Sequence, residues 1–475
     1  MLALLLCLAA CDDFLDVDSP NDISRAELFE TVRGANAAVA GLYLGLGDGA
    51  YYQFRFPIYA DLPGNLKLPS QSGGSLGSST GTQRGLQALR MRTITPALDQ
   101  TNLSGFYQNA YEVIFQASDI LDGLANVTDG APGEVASLAA EARAIRALVH
   151  FDLVRLFAQA PGFTENASHE GIVIIDDLPG IFDLPARRSV AESYAAILAD
   201  LDIARADLDA TFSRRSNEPI WLTPAVVDGL IARVSAYVGD WETVAAAAGR
   251  AITASGLALT PAEQYVDGWA EGGLSEILWE LDLQRLVEDG EDVNFQSPAL
   301  IVGAGNPLPL MEISEDLLNE FAPEDLRREL FIPNEDGVML SGKWPFAVNE
   351  IRNPPLLRLS ELYLLRAEAN VELSNLAAAT EDYLAVHGRS VANPTVPTDL
   401  AALRLAIRQE RRRELALEGH HFFDLGRWGE SLVREDCLPE IEGDCILSYP
   451  DFRFVLPLPF DATRRNPNLS QNPGY

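Results

Sequence analysis

The run I-R-Q-E-R-R-R-E-L-A-L-E-G-H-H-F-F-D-L-G-R-W, from Ile407 to Trp428, decides how the rest of the chain is read. Three consecutive arginines, Arg411, Arg412 and Arg413, could form an anion-binding patch. Glu410 and Glu414 flank them on an evident helix, however, so i,i+3 and i,i+4 ion pairs can neutralise the run, with Arg408 and Glu418 extending the ladder. Phe422, Phe423, Leu425 and Trp428 then read as core rather than as a ligand platform. His420 and His421 are adjacent and point two ways on a helix, which does not suit a metal pair.

Outward from this run, most of the chain carries helical periodicity. Ala26–Leu46, Phe106–Val127, Glu134–Phe157, Val190–Leu208, Pro224–Ser255 and Leu356–Leu373 place apolar and small residues on one face and Arg and Glu on the other. Ser189 and Thr223 stand at N-cap positions, the second just before Pro224 at a first helical position. Gly239-Asp240-Trp241 and Leu373-Ser374-Asn375 each precede an Ala-rich segment. Each looks like the turn and second helix of a tetratricopeptide-type pair, in which small residues let helices approach closely. The expected fold is mainly α: a scaffold of helical pairs with a loop-rich face.

Two stretches, Ala50–Asp99 and Asp282–Pro309, are rich in Gly, Ser, Thr and Pro and read as long loops, the sort that carry function. Gly171–Ile175 reads as a short strand or extended connector. No linker separates independent folding units, so residues 11–215 and 216–475 are expected to form two regions of one body.

Composition narrows the function. The net charge is −34, from 35 basic and 69 acidic residues, which disfavours nucleic acid as a partner. Lysine occurs only at Lys67 and Lys343, a bias that a genome or habitat explains without a site. Hydrophobic residues make up 47% of the chain, ample for a sizeable core. No G-x-S-x-G, H-E-x-x-H, P-loop or dinucleotide fingerprint is present, and with 69 acids no carboxylate pair stands out, so the chain is not expected to be an enzyme. No cofactor or metal is implied.

Residues 1–10 are apolar and run into Cys11 as Leu8-Ala9-Ala10-Cys11, which fits a bacterial lipobox. The stretch is too short to span a bilayer and reads as a processing segment, with Cys11 lipidated, although no basic residue precedes it. A start codon placed too far downstream explains that gap. The remaining cysteines, Cys437 and Cys445, lie eight residues apart; in an oxidising compartment they can close a small loop, though the spacing alone leaves them bonded or free.

Taken together, several motifs resemble the SusD/RagB family of outer-membrane nutrient-binding lipoproteins. The family's helix E-R-R-x-E-L-x-x-E-G-x-R-x-x-D-L-x-R-W is matched in register by Glu410, Arg411, Arg412, Glu414, Leu415, Glu418, Gly419, Asp424, Leu425, Arg427 and Trp428. His421 stands where Arg is usual. The closing L-P-L-P-F-D-A-T-R-R-N-P-N-L-S-Q-N-P-G-Y is similar to the family's ending, through Leu456, Pro457, Pro459, Asn466, Pro467, Leu469 and Gln471 to Tyr475, with Phe460 where Gln is common. Pro355–Ala369, Ala140–Phe157 and Cys11–Val17 add further likenesses.

The resemblance implies a lipid-anchored protein on the outer face of the outer membrane. It would act as a lid on a SusC-like TonB-dependent transporter, capturing an oligosaccharide and delivering it without covalent chemistry. A relative that captures peptides, or a lipidated helical-repeat scaffold, are the alternatives. Because the family motifs belong to the scaffold, candidate ligand-binding residues come from the loops. They are Tyr51, Tyr52 and Phe54, with Asn65 and Arg84 as polar partners; Asn294, Phe295 and Gln296 in the second loop; and Trp269 on a Gly-flanked turn. Exposed aromatic planes suit the apolar faces of sugars. Ordinary packing competes at every one of these positions, and Trp279 and Trp344 read as structural.

Overall fold

The computed structural model describes residues 23–53, 55–67, 81–96, 103–180, 182–213, 218–283, 298–307, 309–346, 352–437 and 444–475. Thirteen helices of eight residues or more build the described body. They are α1 (Val32–Leu46), α2 (Arg55–Asn65), α3 (Gly81–Met91), α4 (Leu103–Gly123), α5 (Pro132–Phe157), α6 (Val190–Asp207), α7 (Pro224–Val238), α8 (Trp241–Ser255), α9 (Ala262–Glu271), α10 (Leu359–Glu372), α11 (Leu376–Ser390), α12 (Leu400–Glu414) and α13 (His421–Trp428). Helix α4 packs on α5, α5 on α6, α6 on α7, α7 on α8, α8 on α10, and α10 on both α11 and α12. The mainly helical fold of stacked pairs is the one expected.

Local chemistry explains the boundaries. Ser189 forms a capping box with Glu192 ahead of α6, and Thr223 accepts the Val226 N–H with Pro224 at the first helical position of α7. Gly239 ends α7 at φ +73°, a left-handed conformation that favours glycine, and Asp240 then caps α8. Gly229 lets α7 approach the chain closely: a Cβ there would stand 2.5 Å from Leu357 Cδ2.

Two expectations are corrected. The segment Ala26–Leu46 is broken: a single turn at Arg25–Leu28 is followed by α1, recapped by Thr31. Ala50–Asp99 is not a continuous loop, since it contains α2 and α3. Helix α2 is buried from Ile58 to Asn65 on every side, so it has no amphipathic period, and Pro63 lies within it. In α3, Gly81 and Gly85 mask a helix that buries Leu86, Leu89 and Arg90. Gly171–Ile175, by contrast, is an extended connector: the Gly171 N–H donates to the Arg188 carbonyl, and the Arg188 N–H to that of Ile172.

Short antiparallel pairs complete the described fold. They are β1 (Leu66–Lys67) with β3 (Glu312–Ile313), β2 (Ile277–Glu280) with β6 (Pro355–Arg358), β4 (Phe331–Pro333) with β5 (Met339–Ser341), and β7 (Leu432–Val433) with β8 (Ile446–Leu447). One contiguous apolar core runs from Phe29 to Leu458 and crosses the 215/216 boundary. Among the described residues no helix is long and apolar enough to cross a membrane.

Candidate functional site

The two Gly-rich segments meet at their stems. Leu66 of β1, which follows α2 inside the first segment, pairs with Ile313 of β3, just past the second. The Met311 N–H donates to the Ile301 carbonyl, and the Leu283 N–H to the Asn353 side chain, so both ends of the second segment are tied as well. Lys67 lies 3.2 Å from Glu315, and Arg90 3.2 Å from Asp436. Beside them the Arg434 guanidinium donates to the Arg90 carbonyl at 2.6 Å, and a disulfide joins Cys437, after β7, to Cys445, just before β8. Burial, with the Asp436 carboxylate next to it, pushes Asp316 up to about 6.

Four of the sequence candidates lie in the core, which corrects their reading as ligand contacts. Tyr51 is fully buried and donates to Asp152 at 2.5 Å, and Tyr52 packs on it with ring centroids 4.6 Å apart. Asn65 is fully buried; its amide donates to Asp61 at 2.8 Å and accepts from Arg412 at 3.3 Å. Trp269 lies within α9, not on a turn, and its ring is covered by Lys343 at 4.7 Å and Arg358 at 5.1 Å. A buried ring has no face to offer a ligand. Cys11, Phe54, Asn294, Phe295 and Gln296 lie outside the described residues, as does the Arg84 side chain. Trp279 and Trp344 are buried.

The signature helix is neutralised, but across the fold rather than along it. Only Arg413 pairs within α12, with Glu410 at 2.9 Å. Arg411 reaches Asp424, and Arg412 reaches Glu320. Helix α12 ends at Glu414, so Glu418 lies beyond it and pairs with Arg358 at 2.8 Å and Lys343 at 2.7 Å. Glu414 is held by Arg327, Arg358 and Arg389. Burial alone would push the Glu414 carboxyl up, but Arg389, Arg358, Arg327 and Lys343 hold it well below the usual range. The same opposition leaves Glu410 at about 2. Desolvation keeps His420 neutral, down at about 4, and holds His421 well below the usual imidazole range. The signature is therefore an ionic joint binding α12 and α13 to α10, α11, β6 and the segment around Arg327.

An open cleft of about 580 Å³ lies elsewhere, between α4 and the C-terminal turn Phe460–Arg465. Seven residues of α4 line it. Tyr107, Tyr111 and Phe115 recur at i, i+4 and i+8, and Ser104, Gln108, Glu112 and Gln116 run beside them at the same interval. Tyr111 donates to the Val173 carbonyl at 3.0 Å, and Asn466 to the Pro185 carbonyl at 2.9 Å, which fixes the opposite wall. Reading Phe106–Val127 only as an ordinary helix missed this lining. Its signal, three aromatics four residues apart, stands in the sequence.

Known proteins place the chain among relatives along its whole length. A model of the SusD family matches residues 349–475, and one described as "Starch-binding associating with outer membrane" matches residues 66–218. SusD-like protein P25 of Formosa agariphila is 24% identical, with 98% of this chain and 97% of the relative covered. SusD-like protein P2 of the same organism is 23% identical over 100% of this chain and 98% of its own length. A SusD superfamily structure from Bacteroides thetaiotaomicron superposes with a TM-score of 0.81 at 23% identity, covering 93% of this chain and all of that one. Another from Bacteroides vulgatus gives 0.78 at 26%, covering 94% and 99%. A structure described as a laminarin-binding SusD-like protein gives 0.72 at 19%, covering 94% and 100%. With both family matches, the ionic joint of its signature and the stacked helical pairs in place, the chain belongs to the SusD family.

Proposed function

We propose that this protein is the capture subunit of an outer-membrane importer. It binds an oligosaccharide at the cell surface and hands it to a SusC-like TonB-dependent transporter without making or breaking covalent bonds. A lipid on Cys11 tethers it to the outer leaflet, facing outward. The observation that carries this assignment is a SusD-family likeness that runs along 98% of the chain in sequence and along 93% of it in fold. The ligand class is supported by the descriptions of one family match as starch-binding and of one fold neighbour as laminarin-binding. The acids and arginines of the signature are engaged in structural pairs, with Lys343 among their partners, so its charged groups serve the scaffold rather than chemistry.

Titration of the purified protein with laminarin and starch oligosaccharides, and with mixed oligopeptides, tests the ligand class. Glycan binding is expected; peptide binding without glycan binding would make the protein a peptide-capturing relative. Purification from native membranes is expected to bring a TonB-dependent barrel with it. Recovery without a barrel, together with no binding of either ligand class, would favour a scaffold instead.

A further inference from the structure

The cleft on α4 shares no lining residue with the loop stems, the ionic joint or the candidates named from sequence. Its floor carries two parallel ridges. On one, Tyr107, Tyr111 and Phe115 pass from half-buried to exposed, Phe115 with 48% of its surface open. On the other, Gln108 donates to Glu112 at 2.8 Å, which pre-orders both side chains, and Gln116 follows one turn later. Successive members of each ridge are about 6 Å apart along the helix, a step comparable with the length of one pyranose unit. An aromatic ridge beside a hydrogen-bonding ridge matches a sugar chain, whose rings present apolar C–H faces and polar edges together.

The far wall adds charge that largely cancels. Asp461 is paired with Arg464 at 2.9 Å, whereas Arg465 and Gln116 have no hydrogen-bond or ion-pair partner among the described residues. One guanidinium without a partner among the described residues, that of Arg465, lines the cleft together with the carboxyl-bearing Glu112 and Asp461, on a chain whose net charge of −34 repels anions. We propose that this cleft is a saccharide-binding site for a neutral glycan chain lying along α4, with ring faces on Tyr111 and Phe115 and hydroxyls on Gln108, Gln116 and Arg465. The site rests on the glycan-capture function and gives it a place. Because α4 is anchored in the core on its opposite face by Phe106, Ala110, Val113 and Ile114, the ridges are already rigid, and little ordering entropy opposes binding.

The test is calorimetric titration of the full chain with laminarin and starch oligosaccharides and with a sulfated glycan. Phe115→Ala and Gln116→Ala change exposed side chains and leave the core intact, as circular dichroism would check. Each is expected to weaken neutral-glycan binding about tenfold or more, with Phe115→Trp retaining it. Neutral-glycan binding unaltered in both alanine variants would overturn the cleft assignment and leave glycan capture standing. No neutral-glycan binding by the unaltered protein would overturn glycan capture and the cleft with it. Binding of the sulfated glycan alone would overturn the neutral chemistry.

Discussion

Asp61, on α2, closes the turn that follows the signature helix by accepting the backbone N–H of Gly419 at 2.6 Å. Its other oxygen takes the Leu417 N–H at 3.2 Å. Two residues more than 350 positions apart thus fix the backbone that presents Glu418 to Arg358 and Lys343. Removing the acceptor strands three buried donors, the Gly419 and Leu417 N–H groups and the Asn65 amide. Asp61→Ala should lower stability by about 3 kcal/mol, measured by urea denaturation; a loss below about 0.5 kcal/mol would mean that the turn holds itself.

Burial drives the Asp61 carboxyl up from 3.8 to about 7, against the pull of Asn65 and the two backbone donors. A carboxyl raised in the folded state keeps its proton there after the unfolded chain has released it. Its contribution is fully present below 3.8 and is lost as pH rises towards about 7. The stability difference between the unaltered protein and Asp61→Asn should therefore shrink across that window and level off above it. A difference independent of pH would count against the shift.

Glu414 is the common partner of three buried arginines, and neutralising it leaves them under-compensated. Glu414→Gln should cost about 3–5 kcal/mol. The exposed pair of Arg464 and Asp461 offers the contrast, since breaking it with Arg464→Ala should cost less than about 1 kcal/mol. Thermal and chemical denaturation of the two variants would separate the cases, and equal losses would refute the ionic joint.

Gly419 has φ +84°, and a Cβ there would lie 3.2 Å from the Pro57 backbone. Both conditions penalise any side chain, so Gly419→Ala should destabilise by about 2 kcal/mol. A neutral result in a melting experiment would show that α2 can shift away from the turn.

The bridge between Cys437 and Cys445 spans eight positions. Replacing both with serine should cost about 2.5 kcal/mol on the chain-entropy account. Reduction with dithiothreitol should lower the melting temperature of the unaltered protein and leave that of the double variant unchanged.

Helical periodicity by itself located α4 to α8 and α10, since each buries one face and the spacing of small and apolar residues records that face. Thr223, Ser189 and Gly239 marked boundaries because capping is local chemistry. The signature and closing motifs identified the family by the same logic, being contiguous in the chain. What escaped was whatever depends on partners distant in sequence. Helix α2 is buried all round and has no period to read, so its aromatic neighbours Tyr51 and Tyr52 looked like loop residues until Asp152 and Phe106 covered them. The acids of the signature seemed to need partners one turn away, yet the fold supplied Arg327, Arg358 and Arg389 instead. The cleft lay between these extremes. Its two ridges are spelled out in α4, but only the C-terminal turn folding back across the helix makes them a site, because a concavity needs a second wall and sequence periodicity describes one element at a time.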